Sequence, residues 1–135
     1  MERQTQIVDA SVVVKWFLEE EDSEKARELR KDSQEGKIKL VVPELLFLEV
    51  LNVLQRKGGT EAEVQEAQKI LWDMQFEIIP LDKIILTKTI ELSIKYRLTI
   101  YDALYAAIAQ SQGVSLITAD VALSKMPNAI ALEKM

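Results

Sequence analysis

The chain has 135 residues, a formal net charge of −5, 48% hydrophobic side chains and 29% charged ones. That length predicts one domain spanning residues 1–135 and burying roughly two thirds of its unfolded surface, and the balance excludes an intrinsically disordered chain. Histidine and cysteine are both absent, which excludes disulfides, thiolate nucleophiles, Ser-His-Asp triads, histidine-based ribonuclease chemistry and the common zinc sites.

Hydrophobic periodicity divides the chain into short β-branched runs and longer helical stretches. Gln6–Val8 predicts a first strand, with helices over Ser11–Leu18 and Ser23–Glu35 after it. Lys39–Val42 predicts a second strand, followed by helices over Pro43–Lys57 and Glu61–Gln75. A third strand, Glu77–Pro80, leads into helices over Lys83–Tyr96 and Tyr101–Gln112. Ser115–Thr118 is a fourth strand, Val121–Lys125 a short helix, and Ala129–Leu132 a weak fifth strand. Pro43 suits a first helical turn, where its missing N–H costs nothing. Thr60 and Glu63 have capping-box spacing just after the Gly58-Gly59 break, and Gly113 stands where a helix-ending glycine belongs. Strands separated by helices imply βαβ units, hence an α/β three-layer sandwich with a central, mostly parallel sheet of 4–5 strands between helices.

No apolar run approaches the ~20 residues of a membrane span. Met1-Glu2-Arg3-Gln4 leads into a strand-like segment and does not resemble a secretory leader, so a cytoplasmic protein with no membrane partner is expected. The net charge argues at first sight against nucleic acid, since phosphate binding leaves a basic footprint. Acids neutralised by a bound cation would weaken that objection, and charge alone leaves the question open.

If this chain hydrolyses anything, carboxylates must do the work, and carboxylates without nitrogen or sulfur ligands favour hard cations such as Mg²⁺ or Mn²⁺. In open α/β sheets, ligands bind beyond the carboxyl ends of the strands, so acids just after strands are the candidates. Asp9 ends the first strand, in Ile7-Val8-Asp9-Ala10-Ser11, where it also suits an N-cap. Glu49 lies in Leu45-Leu46-Phe47-Leu48-Glu49-Val50-Leu51, a helix apolar nearly all round and therefore expected to be largely buried. Glu49, Asn52 and Arg56 share one narrow polar stripe, so Glu49 is either a site residue or the partner of Arg56 in an ion pair. Asp102 opens the apolar helix after Thr99-Ile100-Tyr101, at capping-box spacing from Thr99. Asp120, in Thr118-Ala119-Asp120, either caps a short helix or joins the other three. Trp16, Phe17, Phe47, Trp72 and Phe76 recur at core spacings, with Trp16 and Phe17 as an alternative partner surface. The run Glu19-Glu20-Glu21-Asp22 reads as a solvated loop.

Taken in order, these pieces resemble the PIN-domain family, and within it the VapC-type toxins of toxin–antitoxin pairs. The resemblance covers essentially the whole chain. It rests on Val8-Asp9-Ala10-Ser11 with Lys15-Trp16, on Pro43-Glu44-Leu45 leading to Glu49 and Asn52, on Tyr101-Asp102-Ala103-Leu104-Tyr105, and on Thr118-Ala119-Asp120. It implies a metal-dependent ribonuclease with RNA as substrate, in which Asp9 and Asp102 are the principal Mg²⁺ (or Mn²⁺) ligands. Glu49 and Asp120 would complete the acidic pocket, and Ser11, Asn52 and Thr118 match supporting polar positions. A homodimer and a cognate antitoxin protein are implied partners. All four acidic positions of the pattern are filled.

Two other classes stay in view. A receiver-like phosphoacceptor domain needs an acidic pair after its first strand and an aspartate after its third. Asp9 has no acidic neighbour, and Pro80-Leu81-Asp82 matches poorly. A non-catalytic α/β binding module would use its acids only as helix caps. Nucleotide-binding enzymes are disfavoured, because neither a P-loop nor G-x-G-x-x-G occurs and the chain has only four glycines.

Overall fold

Five short apolar runs become five strands, and their pairing sets where everything else lies. The computed structural model describes residues 4–135; residues 1–3, part of the segment read as lacking a leader, lie outside the described residues. β1 (Gln4–Val8), β2 (Ile38–Pro43), β3 (Glu77–Ile79), β4 (Ser115–Thr118) and β5 (Ala129–Ala131) form one sheet in the order β3-β2-β1-β4-β5. Every pairing is parallel, with Gln6 opposite Leu40 on one side of β1 and opposite Ser115 on the other. Parallel strands covered on both faces carry nearly continuous apolar runs. β1 and β2 accordingly bury Ile7, Val8, Leu40, Val41 and Val42.

Among the described residues, seven α-helices connect the strands: α1 (Ala10–Val13), α2 (Ser23–Gln34), α3 (Leu45–Arg56), α4 (Glu61–Asp73), α5 (Lys83–Tyr96), α6 (Ile100–Gln112) and α7 (Val121–Ser124). Strand order runs outward from β1 in both directions, and parallel crossovers are right-handed. That handedness puts α1–α4 on one face and α5–α7 on the other, and the contacts agree: α1 meets α3, α3 meets α4, α5 meets α6 and α6 meets α7. The result is the helix–sheet–helix sandwich that the alternation implied. No helix among the described residues is long and apolar enough to cross a membrane.

Local chemistry accounts for the ends. Thr60 and Glu63 make both bonds of a capping box, at 2.9 and 3.2 Å. Asp82 caps α5 by accepting the Ile85 amide at 2.7 Å, and Gly113 takes a left-handed φ of 67° to close α6.

The structure corrects four expectations. The helix read over Ser11–Leu18 is the four-residue α1 followed by a 3-10 turn, Val14–Trp16. Three successive valines are stiff at χ1 and suit a long helix poorly, and the Trp16 indole is drawn aside to donate to the Ala26 carbonyl at 2.8 Å. Pro43 ends β2 opposite Ile79 instead of starting α3; lacking an N–H, it suits the last rung of a ladder. α3 buries Leu46, Phe47, Val50 and Leu54, but Leu48 is 70% exposed, so the helix is not covered all round. Of the aromatics assigned to packing, Trp16 and Phe47 are buried, which removes Trp16 from any partner surface. Trp72 is 56% exposed, although its ring lies 4.4 Å from that of Phe47. Glu19, Glu20 and Glu21 lie in an exposed loop, as read, with Glu19 paired to Arg27.

Candidate active site

The sheet reverses direction of growth between β1 and β4, and two candidate acids follow those two strands. Asp9 comes directly after β1, and Asp120 two residues after β4. α3 and α6, one from each face, carry Glu49 and Asp102. The site therefore lies at the topological switch point, beyond the carboxyl ends of the strands.

Asp9 is 4% exposed. Ser11 Oγ donates to its Oδ1 at 2.6 Å, and Thr118 Oγ1 donates to its Oδ2 at 3.0 Å. The same hydroxyls accept backbone amides: Ala119 N–H reaches Ser11 at 2.9 Å and Asp120 N–H reaches Thr118 at 2.9 Å. A second bond at 2.9 Å joins the Leu123 amide to Asp120 Oδ1, so Asp120 caps α7 while its other oxygen is uncommitted to that cap. Asp9, although it precedes α1, makes no side-chain cap there. Its carboxylate is turned to the hydroxyls, so it does not serve as the N-cap that its position suits.

Glu49 is half-buried, and the Tyr105 phenol donates to its Oε1 at 2.5 Å across the gap between α6 and α3. Among the described residues no ion pair joins Glu49 to Arg56, which is exposed. Asp102 is half-buried at the start of α6, where its amide donates to Thr99 Oγ1 at 3.0 Å. The returning side-chain bond that completes the box at Thr60 and Glu63 is not formed by Asp102 among the described residues, so its carboxylate is free for other work.

Electrostatics tie these acids together. Burial pushes the Asp9 carboxyl up to about 7; the Ser11 and Thr118 hydroxyls oppose the push, and the charges of Asp120 and Asp102 add to it. Burial also raises Glu49, against the Tyr105 hydrogen bond and with the charge of Asp102. Asp102 is raised by burial and by Asp120, with the Thr99 hydroxyl pulling the other way. Burial, then the charge of Glu49, drives the Tyr105 phenol far above its ordinary value, so it serves as a donor at any working pH. None of the four acids pairs with a lysine or arginine among the described residues. Converging carboxylates left without a counter-charge are what a cation would neutralise.

The donor set, all oxygen, fits a hard cation. No group of three or more acidic side chains forms a ready metal cage among the described residues.

Of the supporting residues, Ser11 and Thr118 sit against Asp9 as described. Asn52 lies almost one turn beyond Glu49, exposed, and borders a separate hollow with Leu48, Leu51, Gln55 and Val64. Tyr105 is the site residue that sequence reasoning passed over. Its signal was available: it stands one helical turn after Asp102, an aromatic with a polar tip among Ala103, Ala106 and Ala107.

Residues 7–129 match the PIN domain. The chain belongs to the PIN-domain family. Within it, this PIN domain is 31% identical over 125 residues to ribonuclease VapC3 of Pyrobaculum aerophilum, covering 88% of this chain and 92% of that protein. Among solved structures, PAE2754 from Pyrobaculum aerophilum superposes with a TM-score of 0.73 at 25% identity, over 97% of this PIN domain and 85% of that chain. A toxin–antitoxin complex from Klebsiella pneumoniae shares the fold with a TM-score of 0.71 at 18% identity, covering 94% and 97% of the two chains. The receiver alternative falls on the same evidence, since the β3-β2-β1-β4-β5 order differs from the 2-1-3-4-5 order of flavodoxin-like receivers.

The geometry also separates the two readings of Glu49. Glu49→Gln leaves no arginine stranded, because Arg56 is not its partner. The metal-free variant is expected to melt at or above the wild-type temperature, since one of several repelling charges is gone. Melts of both proteins in EDTA check this; a drop equivalent to the ~3–5 kcal/mol of a broken buried ion pair would restore the Arg56 reading.

Proposed function

We propose that this PIN domain is a divalent-metal-dependent ribonuclease and the toxin of a toxin–antitoxin pair. One observation carries the reading: a buried, doubly hydrogen-bonded aspartate at the sheet's switch point feels the charge of two more carboxylates, Asp102 and Asp120, with no cationic partner among the described residues. The name ribonuclease VapC3 on a 31% identical relative supports RNA as the substrate. The Klebsiella toxin–antitoxin complex supports an antitoxin partner.

In this reading Asp9 and Asp102 are the principal ligands of Mg²⁺ or Mn²⁺, with Glu49 and Asp120 completing the pocket. The cation, when bound, supplies positive charge for the scissile phosphate and makes water a better nucleophile near neutral pH. The protein's own part is orientation. Ser11 and Thr118 fix both oxygens of Asp9, Tyr105 fixes one oxygen of Glu49, and the Leu123 amide fixes one oxygen of Asp120. Ligands held this way pay little reorganisation when the substrate arrives. The cytoplasm is the proposed location. Exposed Leu86, Ile90 and Ile94, four residues apart on α5, form an apolar stripe that supports a homodimer, and light scattering at the mass of a monomer would rule the dimer out.

Purified protein is expected to cleave RNA with Mg²⁺ or Mn²⁺ and to lose that cleavage in excess EDTA. Undiminished cleavage in chelator overturns metal dependence. An absence of cleavage on any RNA, with intact metal binding, favours the binding-module alternative.

A further inference from the structure

Tyr105 is the largest fully buried side chain among the described residues, yet it ends in a hydroxyl, and that hydroxyl makes its bond to a carboxylate on another helix. A buried phenol used only for packing would be replaced by phenylalanine at no cost to the site. Here the ring enters from α6, and Oη reaches across to Oε1 of Glu49 on α3, on the opposite face of the sheet. The phenol also lies near enough to Asp9 and Asp102 to feel their charge. It therefore stands amid the acidic groups and not behind them.

Consider what Glu49 has without it. Its side chain has three rotatable bonds, sits half-exposed, and makes no other side-chain hydrogen bond or ion pair among the described residues. Asp9 differs: each of its oxygens already accepts a hydroxyl. Of the two acids, Glu49 is the one whose direction depends on a single contact. A phenol donates one proton, so the bond commits one glutamate oxygen and leaves the other to face the site.

We propose that Tyr105 is a positioning residue of the metal site, acting through Glu49: its hydroxyl holds Oε1 so that Oε2 is presented to the cation. This deepens the metal-site reading above and rests on it. Partners that orient ligands in this way typically contribute about 10–100-fold in metal affinity.

The test is Mn²⁺ binding, followed by calorimetry or by the electron paramagnetic resonance signal of free Mn²⁺, on wild type, Tyr105→Phe, Glu49→Ala and the double variant. Tyr105→Phe keeps the ring and is expected to weaken Mn²⁺ binding about tenfold or more. Its metal-free Tm should stay within about 5 °C of wild type. In the Glu49→Ala background the same change is expected to have no further effect, because the group through which the phenol acts is gone. Unchanged binding in Tyr105→Phe overturns the proposal while leaving the metal site intact. An equal loss in both backgrounds overturns it too, since Tyr105 would then act elsewhere. A collapse of the metal-free Tm makes Tyr105 a packing residue. Wild type that binds no Mn²⁺ refutes the metal-site reading itself, and this proposal with it.

Discussion

In the metal-free protein, stability is expected to fall as the pH rises from about 4 to about 7, and Asp9→Asn is expected to remove most of that fall. The Asp9 carboxyl moves from an ordinary 3.8 to about 7 on folding, chiefly because burial disfavours its charge. Below the lower value it is neutral in both states and imposes no penalty. Between the two values the unfolded chain releases its proton first, so folding loses ground as pH rises. Above about 7 both states are charged and the full penalty stands. A rise from 3.8 to about 7 corresponds to about 4 kcal/mol, a large share of a small domain's stability. At pH 8 in chelator, Asp9→Asn should therefore melt above wild type, even though the amide imitates the hydroxyl contacts imperfectly. Added Mg²⁺ should flatten the wild-type curve, because a bound cation favours the ionised form. Parallel pH–Tm curves for wild type and Asp9→Asn in EDTA would show that burial does not tax this carboxyl.

Asp102→Asn is expected to lose RNA cleavage by at least about 100-fold, with less than about 1 kcal/mol change in metal-free stability. Removing mere supporting partners of metal ligands costs about 10–100-fold, so a ligand proper belongs at or beyond the top of that range. The small stability effect follows from local geometry. Thr99 provides the cap of α6, and the Asp102 carboxylate is raised by burial and by Asp120, so its charge stabilises nothing in the metal-free fold. Initial rates on a defined RNA, beside urea melts of the same preparations, decide the matter. A variant that cuts at the wild-type rate returns Asp102 to a helix-start role.

What the sequence disclosed, and what it withheld, follows from the range of the forces involved. Strand–helix alternation comes from local periodicity, so all five strands and every long helix could be placed by pattern. The capping box at Thr60 is local too, and both of its bonds are made. Glu49 stood out because it interrupts an apolar helix, but its partner did not. Arg56 lies seven residues on and was visible in the pattern; Tyr105 lies 56 residues away and became a neighbour only through folding. The exposure of Trp72 and Leu48 is likewise a tertiary outcome, since an apolar side chain on α3 or α4 carries no mark of whether another layer covers it. Pro43 was misplaced for a subtler reason. A proline suits the first turn of a helix and the last rung of a strand alike, and two residues decide between them.

The hydroxyls of Ser11 and Thr118 have a consequence for which positions tolerate change. Each hydroxyl has one proton, and each gives it to Asp9, so each oxygen is left to receive a main-chain N–H from Ala119 or Asp120. The orientation of Asp9 is thus inherited, through two relays, from the backbone of the loop after β4. At position 119 the side chain is exposed and free to vary, while the amide hydrogen is not. Almost any residue fits there except proline, whose ring would delete the first relay without touching an acidic group. An inactive natural variant of this protein need not have lost a carboxylate; a single imino acid in that loop would suffice.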